Sequence, residues 1–383
     1  MRIAVFTNTY LPTISGVVTS IRKFRKGLIN AGHDVHIFAP EYEGYEDQEP
    51  YIFRFPALDL SDQLNISIVV PIKNLMESAV RGVKPTLIHS QHPVWMGDLA
   101  VSFARTLNIP LVFTFHTQYE QYAQHYSRIA PKLAGRITEE VVRRYLQHCA
   151  HVVVPTESIR EMLIKDYGIS QGVTVVPTPV DLQEFHALHP EKVRTKFGLE
   201  GQEVLLFVGR LASEKGLDML IQAFAIIHKS RPNVRLLLLG KGPHEDVLRA
   251  NLRKSKLGKF VIFAGAVPHE QVPDYYAAAD LFVFPSKTET QGLVIIEAMA
   301  AGLPVVAVRA PGAVDILADG GVVLVEDTPA RFSRSVIELL EDPSKRASLR
   351  EEAQRAVRRF QIPAATGDLI TAYEETVERW QRK

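Results

Sequence analysis

Residues 286–302 read S-K-T-E-T-Q-G-L-V-I-I-E-A-M-A-A-G. They follow Leu281-Phe282-Val283-Phe284, an apolar run that ends at Pro285 and reads as a buried parallel strand. After a polar loop, Leu293, Ile296, Met299 and Ala300 recur at helical spacing up to Gly302, a natural C-terminal stop. The stretch is therefore strand, loop, helix. Glu289 falls in the loop and Glu297 two turns inside the helix. Both can face the crevice beyond the strand's carboxyl end, where open α/β sheets bind ligands. The amides of Thr290, Gln291, Gly292 and Leu293 open the helix and carry its positive dipole end, a place for hydroxyls or anions. Carboxylates accept paired hydrogen bonds from vicinal hydroxyls, so two of them suit a ligand with one diol on a sugar and another on a ribose. An isolated E-x7-E also reads as two solvated charges. The flanking strand, the glycine at the turn and the small-residue ending A-M-A-A-G favour a site.

The same alternation extends in both directions. Towards the N-terminus, apolar runs at 2–8, 35–39, 87–89, 111–115 and 152–155 are separated by helix-like segments. The stretch 173–180 closes this series with two prolines, and 181–190 reads as a linker. A second series follows at 203–210, 234–240, 260–265, 281–284, 305–308 and 322–325. Such βα alternation implies parallel sheets. With 383 residues, two domains are expected rather than one. The last helix, near 364–382, carries Leu369, Tyr373, Val377 and Trp380 on one side.

The motif at 286–302 resembles the E-x7-E segment of retaining GT-B glycosyltransferases of family 4. The spelling S-K-T-E-T-Q-G-L-V-I-I-E-A-M-A is similar to the branch that glycosylates diacylglycerol in bacterial membranes. The resemblance implies an α/β, GT-B fold, two Rossmann-like domains whose parallel sheets face each other across a cleft. It implies an acceptor-side domain over 1–180 and a nucleotide-sugar domain over 181–363. It also implies a terminal helix over 364–383 that crosses back to the first domain.

Cleaving a sugar–diphosphate bond leaves negative charge on phosphate, so the site needs fixed cations and amide donors. No D-x-D metal motif occurs in the sequence. In G-R-L-A-S-E-K-G, Arg210 ends a strand and Lys215 lies five residues on. Spacing alone reads equally as a solvated helix-capping loop; the resemblance makes both residues diphosphate ligands. It also implies that the loops at Gly240 and at Gly265–Val267 flank the nucleotide base. Gly16, which opens the first helix after a strand, permits close approach to a phosphate. His116 ends L-V-F-T-F-H at another carboxyl edge and reads as a structural histidine; the resemblance places it near the transferred sugar. In T-Q-Y-E-Q-Y, Tyr119 and Glu120 resemble the lipid-glycosylating branch, with Glu120 either an acceptor-side base or an exposed charge. Retention in the family runs on one sugar face with the leaving phosphate helping to take the acceptor proton.

Composition narrows the alternatives. Apolar residues make up 46% and charged residues 23%, an ordinary globular profile. The missing G-x-G-x-x-G after the first strand argues against a dinucleotide oxidoreductase. A net charge of +1 argues no nucleic-acid role, and one cysteine, Cys149, allows neither a disulfide framework nor a cysteine zinc site. No apolar run reaches about 18 residues and the N-terminus does not read as a signal peptide, so a cytoplasmic protein is expected. Charge is unevenly placed, however. Residues 41–62 hold seven acidic residues and one basic, while the rest of the first 180 carry 16 Lys/Arg against 9 Asp/Glu. The segment 64–83 mixes apolar residues with Lys73 and Arg81, and Lys84 follows. It reads as a core helix with a basic edge or, the favoured reading, as an interfacial element facing anionic lipid. The resemblance implies as partners a nucleotide sugar, foremost UDP-glucose, and a lipid acceptor such as diacylglycerol reached from the inner membrane face; the alternatives are another acceptor, phosphatidylinositol or a sugar or sugar phosphate, or a non-catalytic nucleotide-sugar-binding protein. No metal or other cofactor is expected.

Overall fold

The structure, a computed structural model, describes residues 1–59, 67–69, 73–116, 131–169, 172–317 and 320–382. It divides into two compact units, Met1–Pro179 with Ile362–Lys383, and Val180–Gln361.

The first unit holds β1 (Arg2–Phe6), β2 (Asp34–Pro40), β3 (Ile52–Phe55), β4 (Ala57–Asp59), β5 (Ser67–Val69), β6 (Leu87–Ser90), β7 (Leu111–Thr114), β8 (His151–Val154) and β9 (Val173–Val175). Seven of them form a parallel sheet in the order β3-β2-β1-β6-β7-β8-β9, while β4 and β5 pair antiparallel. Its helices are α1 (Gly16–Asn30), α2 (Lys73–Val83), α3 (Met96–Leu107), α4 (Pro131–Leu146) and α5 (Glu157–Met162).

The second unit holds β10 (Glu203–Val208), β11 (Val234–Leu239), β12 (Val261–Gly265), β13 (Leu281–Phe284), β14 (Val305–Val308) and β15 (Val322–Val325), all parallel in the order β12-β11-β10-β13-β14-β15. Around them lie α6 (Pro190–Phe197), α7 (Leu217–Ser230), α8 (Glu245–Ser255), α9 (Val272–Ala278), α10 (Leu293–Ala300), α11 (Pro311–Leu317), α12 (Pro329–Glu341) and α13 (Pro343–Ala356). The final helix, α14 (Ile362–Gln381), belongs to the first unit. In each sheet the central strands are buried on both faces, which is why they read as unbroken apolar runs rather than alternating ones.

Helix α14 packs on α1. Leu369 and Tyr373 are buried in one cluster with Val18, Ile21, Phe24 and Leu28. The two helices cross at Gly27, where an added Cβ would sit 2.0 Å from Thr366 Oγ1. Farther along, Trp380 Nε1 donates to the Asn108 carbonyl at 3.1 Å, just beyond α3.

Two expectations change, and the acidic stretch gains a structural account. The segment 64–83 is not one helix: its described part is β5 followed by α2, and Pro71 stands between them in the sequence. The stretch 181–190 is not a bare linker. Leu182–Phe185 forms a 3-10 turn capped by the Asp181 carboxylate, and Leu182 and Phe185 pack against the second unit's core. Within the acidic stretch 41–62, Asp47 and Glu49 are paired internally. Asp47 accepts two bonds from Arg54, at 2.6 and 2.8 Å, and Glu49 pairs with Arg25. Arg54 also donates to the Leu11 and Pro40 carbonyls and lies over the rings of Tyr10, Tyr42 and Tyr45. Part of that negative charge is therefore internal counter-charge that folds the loop onto the sheet. No described helix is long and apolar enough to cross a membrane.

Candidate active site

The second unit's site begins with backbone. Gly209 N donates to the Leu239 carbonyl at 3.0 Å, and Gly240 N donates to the Gly265 carbonyl at 2.9 Å. Gly240 has φ +138°, and a Cβ there would lie 2.0 Å from the Gly209 carbonyl oxygen. A Cβ on Gly242 would lie 2.3 Å from that of Leu211. The chain thus needs glycine at both places so that the loops after β10 and β11 can lie against each other. Val267, beyond β12, packs on the core.

The cationic loop comes next. Ser213–Lys215 makes a 3-10 turn that ends at Gly216, φ +70°. Gly216 is pressed against Pro285 at the end of β13, where a Cβ would meet the Pro285 carbonyl oxygen at 2.5 Å. This contact carries Lys215 over to the loop after β13. Its Nζ lies 2.6 Å from Glu289 Oε1, with the side chains 20% and 23% exposed. Ser286, itself buried, donates its hydroxyl to the same oxygen at 3.0 Å. Arg210, two residues past β10, is half-buried at the same edge.

Gly292 takes φ +74° and acts as the N-cap of α10, so the helix opens at Leu293. Glu297 therefore lies in the second turn rather than two full turns inside. Thr290 is half-buried and Gln291 buried in the preceding loop. Glu297 Oε2 accepts from the Tyr276 hydroxyl at 3.0 Å. The loop is braced from behind by α11: a Cβ on Gly312 would lie 2.8 Å from the Glu289 carbonyl oxygen and 3.0 Å from Gln291 N. One edge of one sheet thus gathers Arg210, Lys215, Gly240, Gly265, Glu289, Glu297 and the amides that open α10.

The first unit has its own polar edge. Gly16 opens α1, exposed, with Ser15 Oγ accepting from Val18 N at 3.3 Å. His116 follows β7, and its Nε2 lies 2.6 Å from Gln91 Oε1. An amide oxygen can only accept, so Nε2 carries the proton. Burial pushes His116 down to about 3, with His92 and His89 nearby adding to the effect. It is therefore a neutral imidazole at ordinary pH. Among the described residues no group of three or more His, Cys, Asp or Glu is placed to hold a metal ion.

Residues 190–356 match the family model described as "Glycosyl transferases group 1", and residues 14–184 match that of "Glycosyltransferase Family 4". The alpha-monoglucosyldiacylglycerol synthase of Streptococcus pneumoniae is 32% identical to this chain, covering 83% of it and 74% of the relative. The chain is a family 4 glycosyltransferase. A second enzyme of the same name, from Acholeplasma laidlawii, is 29% identical over 100% of this chain and 99% of its own. The glycosyltransferase also shares its fold with sucrose-phosphate synthase from Thermosynechococcus elongatus, TM-score 0.82 over 98% of both chains at 21% identity. The two parallel-sheet units are those of the GT-B architecture.

Other expected residues of the glycosyltransferase are scattered. Tyr119 and Glu120 lie outside the described residues. Lys73 opens α2, and Arg81 near its end pairs with Glu77 at 2.8 Å. Lys84 is exposed and offers its carbonyl to Arg2. Sequence reasoning missed Ser286, Tyr276, Gly312 and Gln91. Ser286 stands inside the motif, and its hydroxyl three residues before Glu289 was a usable signal. Tyr276 and Gly312 reach the second unit's site, and Gln91 the first unit's polar edge, from distant segments with no local mark in the sequence.

Proposed function

We propose that this enzyme transfers glucose from UDP-glucose to diacylglycerol or a glycosyl-diacylglycerol, with retention and without a metal ion. The observation that carries the reading is the 2.6 Å contact between Lys215 and Glu289. In a nucleotide sugar the transferred hexose and the diphosphate are joined through a single oxygen. A phosphate-binding cation and a hydroxyl-binding carboxylate must then stand side by side, as these two do. Lys215 and Arg210 take the charge of the leaving diphosphate, helped by the amides of Thr290, Gln291, Gly292 and Leu293 and by the backbone at Gly16. Glu289 accepts from hydroxyls of the hexose, and Glu297 from the ribose diol. Gly240, Gly265 and Val267 flank the base. Neutral His116, oriented by Gln91, offers a hydrogen-bonding nitrogen to the sugar. The acceptor oxygen bonds to the anomeric carbon on the face the diphosphate leaves, and its proton passes to the departing phosphate oxygen. In this reading 1–180 is the acceptor side, 181–363 the donor side, and 364–383 completes the first domain.

Two similar enzymes, each named a synthase of monoglucosyldiacylglycerol, support the lipid acceptor. So does the surface of α4. Leu133, Ile137 and Val141 recur there at helical spacing and are 58%, 57% and 40% exposed, with exposed Arg136 and Arg144 on the same helix. An apolar stripe with arginines suits the headgroup boundary of an anionic bilayer. A peripheral enzyme on the cytoplasmic face follows. Tyr119, Glu120, Lys73, Arg81 and Lys84 are assigned to acceptor or membrane contact.

The test is a screen of UDP-glucose and GDP-mannose against diacylglycerol, phosphatidylinositol and soluble sugar phosphates in mixed micelles, with and without chelator. Glucosyl-diacylglycerol with the α-configuration, formed equally well with chelator, is expected. Transfer confined to a soluble acceptor refutes the lipid reading, and a strict divalent-ion requirement refutes the protein-cation reading. Lys73, Arg81 and Lys84 changed together to Glu should weaken sedimentation with anionic vesicles and leave nucleotide binding unchanged.

A further inference from the structure

Tyr276 is a fully buried phenol directly beneath a motif carboxylate. It belongs to α9, and its ring is walled by Phe282 of β13 at 5.6 Å and Phe185 at 6.3 Å between centroids. Its hydroxyl lies 3.0 Å from Glu297 Oε2 and 3.2 Å from the Val294 carbonyl, both on α10. A phenol has one proton to donate, so the two acceptors share it. Burial, and then the charge of Glu297, push the phenol's ionisation well above its usual range, so it stays a donor at any working pH.

Glu297 itself is half-buried. A glutamate on a helix surface samples several rotamers, and recognition of a diol requires one of them. A buried, immobile donor under one carboxylate oxygen selects that rotamer before the ligand arrives. Glu289 is held in the same manner, with the buried hydroxyl of Ser286 on one of its oxygens. The charge of the second acid is thus fixed from below by a residue that the motif does not contain.

We propose that Tyr276 is a positioning residue that fixes the Glu297 carboxylate for bidentate recognition of a ribose diol, and so sets the preference for ribonucleotide over deoxyribonucleotide donors. The inference rests on the reading of Glu297 as the ribose ligand. The bond from Tyr276 to a carboxylate is charge-assisted, and losing it relaxes the geometry of both diol contacts. Tyr276→Phe keeps the ring and its walls and removes only the donor.

Calorimetry of UDP and GDP, each beside its 2′-deoxy and 3′-deoxy analogues, tests this on the wild type, Tyr276→Phe and Glu297→Gln. The nucleotide bound more tightly by the wild type supplies the ratio. The wild type is expected to prefer the ribonucleotide. Tyr276→Phe should weaken it about tenfold, the size of one hydrogen bond to a charged group, with little effect on the deoxy analogues. The ratio between them should collapse towards one while kcat at saturating donor stays within about twofold. If Glu297→Gln loses the ratio and Tyr276→Phe keeps it, Tyr276 is not the positioning residue and the ribose reading stands. If Glu297→Gln keeps the ratio, the ribose reading fails and the inference with it. A purely structural role for Tyr276 would lower the melting temperature and weaken all analogues alike, and that outcome also overturns it.

Discussion

Lys215 and Glu289 hold each other at 2.6 Å, and this makes each of them matter twice. On the proposed diphosphate role of Lys215, Lys215→Ala removes a charge-assisted contact of about 1.5–3 kcal/mol, so transfer should slow at least about tenfold. It also leaves Glu289 with Ser286 as its remaining described hydrogen-bond donor. The pair is mostly shielded, so the stability loss should exceed the roughly 0–1 kcal/mol of a surface pair. Glu289→Gln in that background removes the stranded charge. The double variant should therefore unfold at higher denaturant than Lys215→Ala alone while being no more active. A double variant less stable than both singles would show that the ion pair is not the coupling. Gly312 offers a second test. A Cβ there presses on the Glu289 carbonyl and Gln291 N, so Gly312→Ala should displace the loop after β13 and, on the proposed donor-binding role of that loop, lower kcat/KM with a small change in melting. The contrast between these residues explains what could be read from the sequence. Arg210, Lys215, Glu289 and Glu297 each follow a strand inside a contiguous motif, so local pattern alone places them at a carboxyl edge. Tyr276 and Gln91 reach their partners across 21 and 25 residues, and nothing local says which face of a helix or loop they occupy.

Among the elements, the strands that are buried on both faces were legible, because nothing polar interrupts them. β3 was not: Ile52-Phe53-Arg54-Phe55 lies in the acidic stretch, and its arginine is paired with Asp47 and covered by three tyrosine rings that only folding brings near. The α1–α14 crossing was half legible. Leu369 and Tyr373 marked the buried side of α14, but the closeness of approach depends on Gly27, which inside a helical pattern reads merely as a weak point. It is instead a notch for Thr366. Gly27→Ala would set a methyl group 2.0 Å from Thr366 Oγ1, a hydroxyl that has no hydrogen-bond partner among the described residues. Overpacking of this kind costs about 1–3 kcal/mol, more than the helix-propensity gain of alanine returns. Thr366→Ala alone should be close to neutral, and in combination it should recover part of the loss. Chemical denaturation of the three variants measures this. A stabilised Gly27→Ala would show that the helices stand farther apart than described.

At the scale of the whole molecule, α14 is fastened to the first unit's sheet through two histidines on β6 and β8 that burial keeps neutral. Tyr373 of α14 meets His89 Nδ1 at 2.5 Å, across 284 residues of sequence, and Arg379 donates to His151 Nδ1 at 2.9 Å. Each ring keeps its other nitrogen on a threonine, Thr114 for His89 and Thr174 for His151. Burial pushes His89 down to about 3 and His151 to about 4, with Arg379 adding to the second. Both start from an ordinary value of 6.5, so between that pH and their folded values the unfolded chain binds more protons than the folded one. The neutral form's contribution is therefore complete above about pH 6.5 and is lost as pH falls towards 4 and 3. Each histidine contributes a slope of at most about 1.4 kcal/mol per pH unit within that window. His92 and His116, lowered to about 4 and 3, lie in the same unit and act in the same direction. A protonated His151 faces Arg379 as a second cation, and a protonated His89 cannot accept from Tyr373, so α14 should loosen first. Hydrogen exchange followed by mass spectrometry between pH 6.5 and 5.5, corrected for intrinsic rates, should show protection falling in peptides of 362–382 and their partners around 87–116 and 151–154. Peptides of 203–361 should change less. Arg379→Met removes the opposing charge and should flatten the pH response of α14, even though it costs the bond at neutral pH. Equal loss of protection in both units, or a slope that Arg379→Met leaves untouched, would place the acid sensitivity elsewhere.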